Sequence, residues 1–350
     1  MKQAIFLHSV VMLVALLIAP PVRAQVEPTA FRPEVLPAPY VERIDRLEEA
    51  IRIAAKRDPQ VQGQWISLRR WRRGDIIRVC FLSGPRSAQR IVASVAAQWN
   101  DANAGVSLDF GAPGSLRFCD PAATSEVRVG FNSRAHPGDW SLVGRESIDR
   151  AIVGPMDASM NLDLLPDRPI HGRAFQAVVL HEFGHALGLL HEHQHPLSTC
   201  ESELNLEYVY ALLQRHPYLW SVKDIDFNIR RGGHFSGTPT SRFDPSSIML
   251  YSFPPGFYRR GESSICYNPQ NYEIADGDYR ALRFVYGSQG VTLTTARDLL
   301  SAVLATALTP RQRGLIIETI AANAVSTEER MAAFRSPQRS GQSQVQRGIE

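Results

Sequence analysis

Residues 181–191 read HEFGHALGLLH, and this stretch decides both the fold and the chemistry. His181 and His185 are four residues apart, so on a helix both imidazoles lie on one side and can bind one metal ion. Glu182 is rotated away from direct ligation, but its carboxylate can reach a water at the metal. The pattern predicts a metal-binding helix with a general base beside the metal.

Gly188 predicts the end of this helix. A residue without Cβ adopts the left-handed turn that reverses the chain, which brings back His191 as a third ligand. Three neutral imidazoles leave a position open for water on zinc, as in catalytic sites. His193 and His195 are alternatives for the third ligand, but the spacing from Gly188 favours His191.

An amphipathic helix with ordinary histidines is the alternative interpretation of residues 181–191. HExxH by itself occurs by chance in roughly a few per cent of chains of this length, and the added glycine and third histidine lower that by roughly a thousandfold. We therefore expect zinc binding. The histidines elsewhere are expected to be surface or locally bonded residues, namely His136, His171, His216 and His234.

A second motif, SIMLY, spans residues 247–251 after the turn-opening pair Asp244-Pro245. Its Met249 lies 58 residues beyond His191. A methionine in an apolar run is usually an ordinary core residue. Together with the extended zinc motif, it indicates a functional turn.

These two motifs resemble the signature of the metzincin metalloproteases, HExxHxxGxxH plus a Met-turn. Within that group the chain is most similar to the astacin family. Glu192 follows the third histidine, Tyr251 stands two residues after Met249, and residues 138–145 (GDWSLVGR) resemble the astacin stretch GCWSxVGR. Residues 274–287 resemble the helix that ends the family's catalytic domain.

The resemblance implies a role for each matching residue in the zinc site. It implies that zinc is bound by three imidazoles, those of His181, His185 and His191. It assigns Glu182 to polarising the attacking water and Tyr251 to stabilising the oxyanion.

The resemblance also implies supporting roles. Met249 is expected to form a hydrophobic floor under the metal without ligating it, and Glu192 to anchor the mature amino terminus. The strand carrying residues 161–163 is expected at the edge of the sheet, where an extended peptide adds as a further strand.

The chain departs from the family pattern at three points. Asp139 stands where astacins usually have cysteine, so the usual disulfide cannot form there, and His195 stands where relatives often carry arginine. No FxGD motif of the family's pro-segments occurs, because Asp75 lies in Gly-Asp-Ile at the start of the first predicted strand. The sequence therefore does not predict an aspartate switch for latency.

The predicted fold class is α+β, a metzincin-like zinc protease fold with a mixed twisted sheet, an active-site helix and a mostly irregular lower subdomain. Short strands are predicted over Ile76–Leu82, Val106–Phe110, Glu126–Phe131 and Ser159–Leu164. Helices are predicted over Tyr40–Asp58, Ser87–Asn103 with Ser87 as N-cap, Arg173–Leu187, Asp276–Tyr286, Thr295–Leu308 and Pro310–Val325.

Composition divides the chain into five parts. Residues 1–24 read as a signal peptide, and the apolar run is too short to favour the alternative of an uncleaved membrane anchor. Residues 25–62 form a proline-rich linker and a helix, a candidate pro-segment, and residues 63–287 form the metzincin-like catalytic domain. Residues 288–335 are predicted as C-terminal helices and residues 336–350 as a disordered tail.

The four cysteines favour disulfides, because an even count in an exported chain usually pairs. Three pairings are open, and we favour Cys80–Cys119 with Cys200–Cys266 because each would staple one half of the catalytic domain. The charge balance of 38 basic and 35 acidic residues gives no reason to expect nucleic acid as a partner.

The sequence thus predicts a secreted or periplasmic zinc-dependent metalloendopeptidase with one Zn²⁺ per chain. It is expected to hydrolyse protein or peptide substrates through a Glu-activated, zinc-bound water, and to have no membrane span after signal cleavage. The alternative is a secreted zinc-binding module without catalysis, against which the presence of Glu182 argues. A structural zinc site would need a fourth protein ligand, for which His193 and His195 are the candidates.

Overall fold

A computed structural model describes the arrangement of residues 32–57, 61, 65, 68–112, 114–230, 242–287, 299–300, 303–304 and 308–321. The predicted signal peptide and tail lie outside these residues. Among the helices described, none combines the length and the apolar character needed to cross a bilayer.

A five-stranded sheet forms the frame on which the metal-binding helix lies. Its strands are β1 (Ile76–Phe81), β2 (Ser107–Asp109), β5 (Val127–Phe131), β6 (Trp140–Ser141) and β7 (Met160–Leu162), while β3 (Gly111–Ala112) and β4 (Ser115–Leu116) make a separate hairpin. The order is β2-β1-β5-β7-β6, with parallel pairing except between β6 and β7.

The strand carrying residues 161–163 is not at the edge, so that expectation was wrong. β6 pairs antiparallel with β7 and covers it, with Trp140 opposite Asn161. The Asn161 side chain also donates to the carbonyl of Gly138, at 2.5 Å. The edge strand on this side of the sheet is therefore β6, which has only two residues, and β2 is the edge strand on the other side.

The helices are α1 (Ala38–Ala55), α2 (Arg86–Ala96), α3 (Arg173–Ala186), α4 (Cys200–Glu203), α5 (Leu206–Leu213), α6 (Val222–Asn228), α7 (Asp276–Gly287) and α8 (310–321). Short 3₁₀ helices span Ala97–Ala102, Gly144–Ile148, Glu192–Gln194, Pro255–Phe257 and Gly261–Ser263. The predicted N-cap Ser87 was wrong, because Pro85 precedes the first helical residue and Ser87 lies inside α2.

The main core lies between the sheet and the helices α2 and α3. Apolar side chains of all three elements are buried there together with Ile248 and Met249. Two indoles tie the core to α3, because Trp71 Nε1 donates to the Ala186 carbonyl at 2.8 Å and Trp99 Nε1 to the Leu180 carbonyl at 2.9 Å. The metal-binding helix is thus fixed both by packing and by buried hydrogen bonds.

A second core joins the two ends of the described chain. The apolar face of α1 packs with Trp140 and Leu142 beside the edge strand and with apolar residues of the C-terminal region, among them Ile316 and Ile320. This core includes residues from three of the predicted parts of the chain, namely 25–62, 63–287 and 288–335. The helix α1 therefore packs against the catalytic domain and is not a separate unit.

A third core forms the lower subdomain below the metal-binding helix. It includes both Cys200 and Cys266, which are bonded to each other. The other pair, Cys80 with Cys119, joins β1 to the segment after the hairpin. The favoured disulfide pairing and the predicted α+β fold class, with a mixed sheet and a largely irregular lower part, are both confirmed.

The methionine turn is held by one buried carboxylate of α7. Asp278 accepts from Ser247 Oγ at 2.6 Å, from the Ile248 amide at 3.0 Å and from the Ala275 amide at 2.9 Å. One side chain therefore fixes the turn that carries Met249 and also the start of its own helix.

We predict that Asp278→Ala lowers the free energy of unfolding by about 3 kcal/mol, because three donors lose a charged acceptor in a buried place. Chemical denaturation followed by tryptophan fluorescence measures the loss. Asp276→Ala, which removes an exposed acid of the same helix, is the control and is expected to change little. Equal effects of the two substitutions would refute the role of Asp278.

Candidate metal centre

Two of the predicted ligands lie on one face of α3. His181 Nε2 and His185 Nε2 are 3.1 Å apart. The second nitrogen of each ring is also positioned by a hydrogen bond. His181 Nδ1 lies 2.8 Å from the Ile248 carbonyl, and His185 Nδ1 lies 2.8 Å from the Leu189 carbonyl. A carbonyl only accepts, so in the neutral rings Nδ1 carries the hydrogen and Nε2 presents a lone pair.

The third predicted ligand is delivered by the turn after α3. Gly188 has φ of +94°, in the left-handed region, and an added Cβ would lie 3.0 Å from the Tyr286 hydroxyl. The chain then reverses and places His191 Nε2 at 3.0 Å from His185 Nε2. Burial lowers the pKa of His191 to about 4, so its imidazole is neutral at neutral pH.

The Nε2 lone pair of His185 lies 3.0–3.1 Å from those of His181 and His191, and such lone pairs repel one another unless a cation lies among them. In a tetrahedral zinc site with Zn–N of about 2.0–2.1 Å, the nitrogens are about 3.3 Å apart. Neutral imidazoles with their second nitrogens bonded to carbonyls are also the donors that zinc prefers. The residues present therefore fit a zinc ion.

A fourth group, which the sequence did not reveal, completes the cluster. Glu34 Oε2 lies 2.9 Å from His191 Nε2 and 3.4 Å from the Nε2 atoms of His181 and His185. These four side chains form a group that could hold a metal ion among the described residues. The carboxylate comes from the segment before α1, about 150 residues away from the helix that carries two of the imidazoles.

The Glu34 carboxyl is buried, and burial by itself would raise its pKa. The neighbouring His185 and His191 outweigh this and hold the pKa of Glu34 well below its usual value. A positive charge at the centre of the cluster satisfies both demands, because it favours an ionised carboxyl and unprotonated imidazoles. Only the position of Glu34 between Pro33 and Pro37, in an extended segment ahead of a helix, could have pointed to it.

Glu182, the predicted base, is buried beside this cluster. Its side chain is 2% exposed, and its Oε2 atom has no hydrogen-bond partner among the described residues. Burial, and next to it the negative charge of Glu34, raise the pKa of Glu182 well above 4.5. A carboxyl of that kind binds a proton far more readily than one in water, as a proton carrier at neutral pH must.

Tyr251 lies against the cluster from the methionine turn. Its ring centroid is 4.3 Å from that of His191, and its hydroxyl donates to Glu34 Oε2 at 3.1 Å. Burial raises the pKa of Tyr251 well above 10, so the phenol keeps its hydrogen. The hydroxyl is therefore a donor aimed at the anionic group in the site.

Met249 packs directly under α3. A Cβ added at Gly184 would lie 2.3 Å from Met249 Sδ and 3.2 Å from the indole of Trp99. The HEFGH stretch thus needs a residue without a side chain at this position. The Met249 sulfur lies against Gly184 of the helix, and its expected role as a floor that does not ligate the metal stays a prediction.

Glu192 follows the third imidazole and points away from the cluster. Its Oε1 accepts from the Asp244 amide at 2.7 Å, and its own amide donates to the Met249 carbonyl at 2.9 Å. Burial raises the pKa of Glu192 to about 7. In this arrangement it links the turn after α3 to the methionine turn, and its expected role toward an amino terminus stays a prediction.

The alternative third ligands do not join the cluster. His193 is buried against Tyr251 and Phe253, with ring centroids at 5.2 and 5.0 Å, and the amide of Leu197 donates to His195 Nδ1 at 3.1 Å. The other described histidines, His136, His171 and His216, also lie outside it, and His234 is outside the described residues.

Asp139, which stands where a cysteine was expected from the resemblance, makes an ion pair instead. Its carboxylate accepts two hydrogen bonds from Arg168, at 2.5 and 2.8 Å, and one from the Asp163 amide at 2.8 Å. This pair ties the loop before β6 to the segment after β7. A charged link thus holds the rim of the sheet beside the metal centre.

Comparison with known proteins gives structural neighbours. No protein-family model matches the chain, and no curated protein matches it either. A structure of myroilysin is similar with a TM-score of 0.51 and 27% identity, over 64% of this chain and 98% of that one. A crystal structure of myroilysin gives 0.44 and 27%, over 63% and 86%.

The third neighbour is high choriolytic enzyme 1, described as a hatching enzyme zinc-protease from Oryzias latipes, the medaka fish. Its TM-score is 0.40 at 15% identity, over 64% of this chain and 96% of that one. The first of the myroilysin matches, together with the extended zinc motif, confirms the resemblance to astacin-like metzincins. The chain has the fold and the donor set of a zinc metalloprotease of that type.

We predict that Gly184→Ala displaces Met249 and lowers the free energy of unfolding by about 1–3 kcal/mol, because an added methyl overlaps the sulfur. Thermal unfolding measures this loss of stability. Zinc titration is expected to show that the variant binds zinc more weakly than the unaltered chain. Gly287→Ala, at a helix end with no atom within 4 Å of the new methyl, is the control. A Gly184→Ala protein as stable as this control would refute the tight packing.

Proposed function

We propose that this astacin-like metzincin is a secreted zinc-dependent metalloendopeptidase that holds one zinc ion per chain. The observation that carries the proposal is the convergence of three imidazoles, with His185 Nε2 at 3.0–3.1 Å from the other two Nε2 atoms and all donor atoms within 4.8 Å of one another. Next to them lies the buried Glu182 Oε2, which has no hydrogen-bond partner among the described residues. His181, His185 and His191 are the proposed zinc ligands.

When bound there, zinc supplies a Lewis acid that polarises a carbonyl and lowers the pKa of water to about 7. Glu182 accepts the proton of the attacking water, since burial makes its carboxylate more basic than usual. The same carboxyl then gives the proton to the leaving amine, for which a raised pKa is again required. No covalent bond between protein and substrate is needed.

Tyr251 stabilises the negative charge that develops on the scissile carbonyl oxygen. Its hydroxyl already donates to an anionic oxygen in the site, that of Glu34. A substrate oxyanion in the place of that carboxylate would receive the same hydrogen bond. Glu34 therefore marks where the charge of the transition state develops.

The chain in this arrangement is latent, because Glu34 fills the position that a water and a substrate need. Leu36 and Ile44 line the same cavity as His185 and His191, on the side of Val143 next to the edge strand. The segment ahead of α1 and its first turns thus occupy the cleft along the sheet edge. Activity requires that Glu34 leave.

Export is supported by the composition of residues 1–24 and by the two disulfides, which form and persist in oxidising compartments. The alternative function, a zinc-binding module without catalysis, has no use for a buried carboxyl with a raised pKa beside the ligands. Such a carboxyl costs stability, and carboxyls with strongly shifted pKa values are concentrated at functional sites, so we favour the enzyme.

We predict that Glu34→Ala increases the cleavage of an unfolded protein substrate at least tenfold over the unaltered chain, since it frees the fourth position. Adding Glu182→Gln to this variant is expected to lower the rate by about 10²–10⁴-fold, which is the usual contribution of a general base. Fluorescence of a quenched casein substrate measures both changes.

Bound zinc is counted in each protein, and one ion per chain is expected throughout. Glu42→Ala, which removes an exposed acid of α1, is the control for Glu34→Ala. A fully zinc-loaded Glu34→Ala protein that cuts nothing would reject the peptidase in favour of the binding module.

We predict that Tyr251→Phe, in the Glu34→Ala chain, lowers kcat by about 10²-fold and leaves KM nearly unchanged, as expected for a donor that acts in the transition state. Zinc content should not change, because the hydroxyl is not one of the three nitrogen ligands. Steady-state kinetics with a peptide substrate measure kcat and KM separately. A rise in KM at constant kcat would assign Tyr251 to substrate binding alone.

A further inference from the structure

The C-terminal helix α8 contributes its apolar face to the same core as α1. Ile316 and Ile320 are buried, and so is Leu308 just before the helix. These three residues belong to the same apolar core as Ile44, Leu47 and Ile51, which form the buried stripe of α1. Neither helix can expose its stripe to water without a cost, so each stabilises the other's position.

The helix α8 is also attached to the catalytic domain. Thr319 is fully buried, and its hydroxyl donates to Asp149 Oδ1 at 3.3 Å. Asp149 directly follows the 3₁₀ helix Gly144–Ile148, whose Glu146 lines the same cavity as Glu34. Residues 308–321 therefore link α1 to the wall of the cleft.

The position of Glu34 depends on α1, because only three residues separate it from the first helical residue, Ala38. Leu36, within that short link, is buried in the second core. The catalytic domain also holds α1, through apolar side chains such as Trp140 and Leu142 and through polar contacts such as Tyr40 Oη with the Ala158 carbonyl at 3.1 Å and Arg43 Nη1 with the Ile152 carbonyl at 2.5 Å. The C-terminal region supplies a further part of the apolar support of α1.

We infer that residues 308–321 act as a clamp that holds α1, and through it Glu34, in the metal centre. The C-terminal region is then a regulatory part of the protease, and the latent state requires both ends of the chain. Loosening α8 releases Glu34 without any cut in residues 32–55. The expected effect of the clamp on activity rests on the proposed function. The packing of α8 against the core that contains α1 does not.

The test is hydrogen exchange on the zinc-loaded full-length exported chain, read by mass spectrometry over α1, α3 and α8. The variant Ile316→Ala/Ile320→Ala is compared with Glu318→Ala, which changes an exposed residue of the same helix. We expect the amides of residues 35–54 to exchange at least thirtyfold faster in the double variant, with α3 unchanged. Glu318→Ala should match the unaltered chain.

A milder variant keeps the test decisive if the double variant does not fold. Thr319→Val keeps the shape of the side chain and removes the hydroxyl that donates to Asp149, and we expect a severalfold rise in exchange over α1. Faster exchange in α8 with unchanged exchange in α1 would overturn the clamp in either variant.

Cleavage of a peptide substrate separates the two proposals. The double variant should approach the activity of Glu34→Ala. If Glu34→Ala is active while the double variant, despite faster exchange in α1, stays latent, the clamp does not control the site and the inference is overturned. If Glu34→Ala itself is inactive, the proposed function fails, and the exchange data still decide whether α8 holds α1.

Discussion

The mutual repulsion of three imidazole lone pairs is the constraint on which the rest of this structure depends. His181 and His185 keep their Nε2 lone pairs inward only because two backbone carbonyls, those of Ile248 and Leu189, hold the opposite nitrogens. One carbonyl comes from the methionine turn and the other from the turn after α3. A cation bound by these imidazoles would relieve the repulsion, and it would also connect the helix, the turn that follows it and, through the Ile248 carbonyl, the methionine turn.

The same centre explains why the buried acids of this region are arranged as they are. Glu182, Glu34 and Asp278 all lie out of water, where a carboxylate is costly unless it is paired. Asp278 is satisfied by three donors and is structural, and Glu34 faces the imidazoles and the phenol. Glu182 keeps one oxygen without a donor among the described residues, and this distinguishes it from Asp278 and Glu34. The three buried acids thus differ in the hydrogen-bond donors and charges around them.

The features that the sequence predicted correctly are those that depend on residues close together in the chain. The spacing of residues 181–191 gave the helix, its end at Gly188 and three convergent nitrogens, and the apolar runs gave four of the five strands of the main sheet. The strand β6 was missed because it has two residues, and without it β7 was taken for an edge. Glu34 was missed for a different reason: its contacts are made across about 150 residues of chain, and no periodicity reports such a contact. The same holds for α8, whose position against α1 follows from the packing of two separate stripes.

The ion pair of Asp139 and Arg168 gives the rim of the sheet a different chemical sensitivity from the rest of the domain. A thiol reductant would open the loops closed by Cys80–Cys119 and Cys200–Cys266, but it has no bond to break between Asp139 and Arg168. Partial burial also shields this pair from dissolved salt. In a reducing compartment the two segments closed by disulfides would therefore loosen, while the link between Asp139 and Arg168 stayed in place.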